Sequence, residues 1–196
     1  VTNSWTSPIV GPVGDGYQLI TVAAPWVIAY QPDDGKEIWR AEHMAGDVAA
    51  SPILAGDLAI AVEPNAQSVA LGPGGTGIVT ESHLVWRNED AGPDISSPVT
   101  DGQRIFLVDG YGTLYVLNAQ DGALAYEHDF EITVKSSPSL VDGKLYVLAE
   151  NGTMFIGTPG EAGYTLEATA ALGERCSASP AFMPGRIYIR GTSHLY

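Results

Sequence analysis

Apolar residues run through this chain in short bursts, each closed off by Gly, Asp, Asn or Pro. Residues 96–138 show one such unit in full. Val99 precedes a turn at Asp101-Gly102, residues 104–108 (Arg-Ile-Phe-Leu-Val) read as a strand, and Asp109-Gly110-Tyr111-Gly112 turns the chain. Residues 113–117 return as Thr-Leu-Tyr-Val-Leu, and a second turn at 118–122 leads into residues 123–130. Four short strands joined by tight Gly- and Asp-rich turns predict an antiparallel meander. Apolar residues at helical spacing over ten or more positions, the mark of an amphipathic helix, are not seen. The run Ile105-Phe106-Leu107-Val108 is apolar at every position, which predicts a strand covered on both faces.

The unit repeats. Ser-Pro occurs at Ser7-Pro8, Ser51-Pro52, Ser97-Pro98, Ser137-Pro138 and Ser179-Pro180, at intervals of 44, 46, 40 and 42 residues. A period near forty with four strands and no helix predicts the blades of a β-propeller. The fold class is therefore all-β, with four-stranded antiparallel blades at about 5–43, 48–90, 95–130 and 135–172 and a partial fifth at 177–196. Strands are expected at 7–10, 18–23, 27–30 and 37–42 in the first unit, and at 58–62, 68–71 and 83–87 in the second. The second unit also carries an insertion at 72–81. In the fourth, strands are expected at 144–149, 153–156 and 164–168; in the fifth, at 186–190. Residues 1–196 read as one domain without a linker. Unmatched blade faces would be large apolar patches. The expectation is a portion of a seven- or eight-bladed ring; two copies completing a ring, or a tight five-bladed ring, are the alternatives. The opening Val-Thr-Asn-Ser-Trp has the look of a cut from a longer chain and carries no signal-peptide pattern.

Charge narrows the field of partners. Nine basic residues stand against 23 acidic ones, for a formal charge of −14. Such a surface repels nucleic-acid phosphates and anionic membranes, and no apolar run is long enough to cross a bilayer. Cys176 is the only cysteine; it can form neither an intrachain disulfide nor a zinc cluster and is expected to be a buried, inert thiol. His43, His83, His128 and His194 are scattered, three of them at or near outer strands where solvated surface is expected. The segment Gly72-Pro73-Gly74-Gly75-Thr76-Gly77 satisfies G-x-G-x-x-G in form only. It holds a proline and leads into strand-like residues rather than a helix, so a loop is expected. There is no G-x-S-x-G nucleophile elbow, and Asn151-Gly152-Thr153, although a glycosylation sequon, reads first as a tight turn.

Residues 29–39, Ala-Tyr-Gln-Pro-Asp-Asp-Gly-Lys-Glu-Ile-Trp, resemble the tryptophan-docking motif of quinoprotein propellers, Ala-x-Asp-x-x-Thr-Gly-Lys-x-x-Trp. Ala29, Gly35, Lys36 and Trp39 match, whereas Gln31 and Asp34 depart. Asn118, Asp121, Gly122 and Tyr126 fall on the same frame in the third unit, the second keeps Trp86, and the fourth keeps almost nothing. With the repeated Ser-Pro, the whole chain resembles the PQQ-binding-like β-propeller repeat proteins. The resemblance implies a structural, blade-docking role for Ala29, Gly35, Trp39, Trp86, Gly122 and Tyr126. Some members of that family are dehydrogenases that hold pyrroloquinoline quinone (PQQ) and calcium in the central funnel, usually against an adjacent-cysteine disulfide that one cysteine cannot form. Others, such as the BamB-like outer-membrane assembly lipoproteins, are scaffolds without a cofactor, and this chain looks closer to them. The implied reading is a non-catalytic interaction propeller in an extracytoplasmic (periplasmic or secreted) setting. Its partners would be other proteins or the remaining blades, and no cofactor, metal or catalytic residue is expected. The alternatives are a PQQ- and Ca²⁺-dependent oxidoreductase and a small-ligand-binding propeller. If a site exists, it belongs on the loops crowded around the axis: Trp26, Asp109, Tyr111, Glu150, Asn151 and Arg190. In the oxidoreductase reading Asp109, Glu150 and Asn151 hold Ca²⁺ and cofactor while Trp26 stacks. The links between blades add Asp47, Asp94, Lys135 and Arg175.

Overall fold

The structure is a computed structural model that describes residues 3–196. Its first blade comprises β1 (Ile9–Val13), β2 (Gly16–Ala23), β3 (Trp26–Tyr30) and β4 (Glu37–Glu42). The second comprises β5 (Ile53–Ala55), β6 (Leu58–Glu63), β7 (Gln67–Leu71) and β9 (Leu84–Asn88), with β8 (Gly77–Ile78) set between the last two in the chain. β10 (Val99–Thr100), β11 (Arg104–Val108), β12 (Thr113–Asn118) and β13 (Leu124–Asp129) make the third. β14 (Ser139–Val141), β15 (Lys144–Leu148), β16 (Thr153–Pro159) and β17 (Tyr164–Ala171) make the fourth. The fifth has β18 (Ala181–Met183) and β19 (Arg186–Tyr188), followed by a returning segment in which Ile189 and Tyr196 exchange backbone hydrogen bonds. Within each blade consecutive strands pair antiparallel, as the meander pattern predicts. Among the described residues there is no α-helix, and hence none able to cross a membrane; β-barrel strands are a separate matter.

The Ser-Pro repeat has a direct physical role. Each proline is the residue just before the first strand of its blade, where a missing N–H costs no ladder bond. Each serine links to the next. The amide of Ser7 donates to the Ser51 hydroxyl, Ser51 to Ser97, Ser97 to Ser137 and Ser137 to Ser179, every rung at 2.9 Å. Four apolar cores then fill the spaces between consecutive blades. β11 shows why its sequence is apolar throughout: Ile105 and Leu107 enter the core shared with the second blade, Phe106 and Val108 the core shared with the fourth. The residues of both pairs are fully buried.

Trp39, Trp86 and Tyr126 each find a different polar solution. Trp39 is fully buried, as is Ala29, and its indole donates to Gln18 Oε1 at 3.1 Å. Gly35 takes φ +69° in the turn before it. Trp86 lies flat against the turn of the next blade, its indole donating to the Ala119 carbonyl at 2.9 Å, with Asn88 Nδ2 on the Gly122 carbonyl. Gly122 is required there twice over: its φ is +68°, and a Cβ would come within 2.5 Å of the Trp86 ring. Tyr126 occupies the same place one blade on. Arg104 has already taken the turn carbonyls of Pro159 and Gly160, so the Tyr126 hydroxyl is buried without a partner.

Two expectations are corrected. The insertion at 72–81 is not a loop hanging from its own blade: β8 pairs parallel with β4, Trp39 opposite Gly77 and Arg40 opposite Ile78. Val79, buried, donates its amide to the Arg40 carbonyl at 2.9 Å, and the Glu42 amide donates to Thr80 Oγ1 at 3.0 Å. The first sheet thus has five strands, the outermost lent by the second blade. His43 is likewise not on the solvated surface. It is 6% exposed, with Nε2 3.0 Å from the Thr80 carbonyl and Nδ1 3.4 Å from Arg87 Nη2. A carbonyl only accepts and a guanidinium only donates, so Nε2 carries the proton and Nδ1 the lone pair. The strap covers what would have been an outer edge. Cys176 is buried as expected.

Three substitutions test this account by denaturant unfolding. Ser97→Ala removes the acceptor of one rung and is expected to cost about 1 kcal/mol. Gly122→Ala forces a side chain into the Trp86 ring at positive φ and is expected to cost about 1–3 kcal/mol. Tyr126→Phe removes an unpaired hydroxyl and is expected to leave stability unchanged or raise it, by the opposite sign to an ordinary hydrogen-bond deletion.

Candidate functional site

The turns between the second and third strands of each blade meet the links that lead into the next blade. Glu150 N–H donates to the Thr133 carbonyl at 2.8 Å, Cys176 N–H to the Glu150 carbonyl at 2.9 Å, and Asn65 N–H to the Gly92 carbonyl at 2.9 Å. The approach is close enough to dictate sequence. At Gly112 and Gly152, both at positive φ, a Cβ would fall 2.1 Å from the carbonyl oxygens of Ile132 and Glu174. The Asp-Gly and Asn-Gly signals therefore mark the seam where turns and links form one face.

On this face most of the expected donors are already engaged. Asp109 Oδ1 accepts the amides of Tyr111 and Thr113, both at 2.9 Å, and Oδ2 accepts the Tyr115 hydroxyl at 3.2 Å. Burial and then the Asp109 carboxylate raise the Tyr115 phenol above its ordinary value, so it stays a donor. Asn151 Oδ1 accepts the Thr153 amide at 2.9 Å, a turn bond. Glu150 holds Arg175, Nη2 to Oε1 at 2.5 Å. The Trp26 ring lies under the Arg40 guanidinium, 5.2 Å from its centroid.

The six candidate residues do not converge. Asp109 and Tyr111 line a cavity of about 420 Å³, with Asn65, Glu89, Asp90, Asp94 and Lys135. Glu150 and Arg190 line a second, of about 340 Å³, with Arg175, Cys176 and Thr192. Trp26 and Asn151 line neither. Asp47, which accepts the Asn3 amide at 2.7 Å, also lines neither. A third cavity, near Tyr17, Ile38 and Pro73, involves none of these residues. The oxygen donors Asp109, Glu150 and Asn151 are thus split and mostly spent on their own turns. Among the described residues no three His, Cys, Asp or Glu side chains are placed to hold a metal ion together. Nor does this arrangement fit the calcium that would accompany a quinone. Cys176 offers no nucleophile either: burial, and next the Glu174 carboxylate, raise its thiol above the ordinary value.

One residue had a signal in the repeat that motif reading passes over. Three positions before the Ser of Ser-Pro, blades two, four and five carry Val48, Val134 and Cys176, exposed by only 0%, 1% and 2%. The third blade carries Asp94 there, half-buried, with Oδ1 cut off from water and from any donor.

Comparison with known proteins follows the fold rather than any single close relative. No curated protein sequence matches the chain. Many solved structures do, among them BamB from Moraxella catarrhalis, with a TM-score of 0.69 and 14% identity over 95% of this chain. The chain spans 59% of that structure's length. At this identity the likeness establishes the propeller and nothing finer. The profile of the family described as "Outer membrane protein assembly factor BamB" matches residues 2–79 and 80–193, and the chain belongs to that family.

Proposed function

We propose that this chain is a non-catalytic propeller that works by binding other proteins, in an extracytoplasmic setting. The observation that carries the reading is the state of the axial face. Its carboxylates are tied into turns or divided between two cavities, the thiol at one of them, Cys176, is buried with its ionisation disfavoured, and among the described residues no three His, Cys, Asp or Glu side chains are placed to hold a metal ion together. What the face does present is exposed, recognisable chemistry: Tyr111, 85% exposed, the carboxylates around it, and farther along Arg175 and Arg190. Exposed aromatic and arginine groups beside opposite charges are the usual anchors of protein interfaces. Membership of a family described as an assembly factor agrees with this; a fold alone would not decide it.

The test is a titration with pyrroloquinoline quinone plus Ca²⁺, followed by quenching of tryptophan fluorescence. No saturable quenching is expected at micromolar ligand. Saturable binding that disappears in Glu150→Ala would overturn the reading in favour of a quinoprotein.

A further inference from the structure

The link that carries Asp94 departs from its counterparts at two positions. Ser96 is 1% exposed and its hydroxyl has no partner, whereas Thr6 and Ser136, at the equivalent place, donate to the carbonyls of Val22 and Leu148 at 2.9 Å. Two of the three orphaned buried polar atoms among the described residues therefore lie in one short stretch of one link. Replacing a buried valine by a half-sunk, unpaired carboxylate costs stability unless something compensates. The first blade's Ser4 at this position is exposed and bonded to the Val22 carbonyl, so Asp94 is the one half-buried charge at this place in the repeat, and it marks a position kept for a purpose other than folding.

The cavity beside Asp94 says what would compensate. Both Asp94 oxygens lie against Gly110, where a Cβ would come within 3.1–3.2 Å of them, so the glycine leaves room for the carboxylate at the base of the Asp109–Tyr111 turn. Tyr111 stands above, almost wholly exposed. Glu89 and Asp90 add two exposed carboxylates, Asp109 adds charge through a carboxylate already engaged, and Lys135 is the one cation on the wall. Lys135 forms no ion pair among the described residues.

We propose that this cavity receives an arginine side chain of a partner protein, its guanidinium set against the Asp94 carboxylate with the Tyr111 ring beside it. The proposal rests on the protein-binding reading and supplies its chemistry. Four carboxylates against one ammonium exclude an anion, and the volume, about 420 Å³, exceeds what a bare ion needs. A guanidinium is planar, weakly hydrated and able to stack on a tyrosine while bonding a carboxylate, which an ammonium does less well.

N-acetyl-arginine methylamide, and its neutral isostere N-acetyl-citrulline methylamide, test this on the whole chain by two-dimensional amide NMR. The arginine probe is expected to shift the Gly92, Gly110 and Tyr111 amide signals saturably, with the citrulline probe at least roughly tenfold weaker, a difference of one charge-assisted contact. Asp94→Asn should weaken arginine binding by a similar factor. Asp94→Val, which installs the residue of the second and fourth blades, should abolish it while raising the denaturation midpoint. Equal binding of the two probes, no saturable shift, or unchanged binding in Asp94→Asn would overturn the proposal. So would a lower midpoint in Asp94→Val, since the carboxylate would then be structural. Protein capture that persists in Asp94→Asn leaves the interaction reading standing and removes only this site. Quinone binding would do the reverse.

Discussion

The blades are held in register by a backbone amide and a serine hydroxyl. The apolar contact between neighbouring blades is strong but non-directional, because the hydrophobic effect has no direction. The serine rungs supply the direction. Each fixes the start of one inner strand to the start of the next at one distance, and the proline that follows keeps the amide side of that strand free of competing ladder bonds. With the inner ends pinned, the alternation of β11 sends its side chains unambiguously to two separate cores. The axial turns then meet the links at the same height in blade after blade. Cavities on that face are bounded by links that run directly into the serine rungs, as Asp94 and Lys135 precede Ser97 and Ser137.

The axial face of this chain is consequently more a mosaic than a funnel. Turn residues that look like ligands by type, Asp109 and Asn151, spend their oxygen atoms on neighbouring amides. Residues with unspent chemistry, Asp94 and Tyr111 of the third blade, Lys135 of the fourth and Arg190 of the fifth, fall in two separate hollows.

The architecture was legible in the sequence because its signal is long-range and repeated: five Ser-Pro pairs, and apolar bursts between glycine turns. The docking aromatics were legible for the same reason. What escaped was local and singular. β8 has two residues, too short for any alternation to show, and it pairs with a blade other than its own. His43 follows an outer strand and looks solvated until a segment 37 residues along the chain covers it. The division of the axial residues into two cavities depends on which turn each side chain bonds to, and residue type does not reveal that. Asp94 was visible as a break in the repeat, but only by comparing blades position by position instead of searching for motifs.

The strap formed by β8 ties sequence order to the order of assembly. During synthesis β1 to β4 emerge before β8, so the sheet they belong to lacks its fifth strand until Ile78 has left the ribosome. Until then the outer backbone of β4 is an open edge, a template for pairing with any other exposed strand. The outer edge of the first blade is thus closed only once part of the second has been made. A nascent chain arrested between β4 and β8 would keep that edge open to self-association.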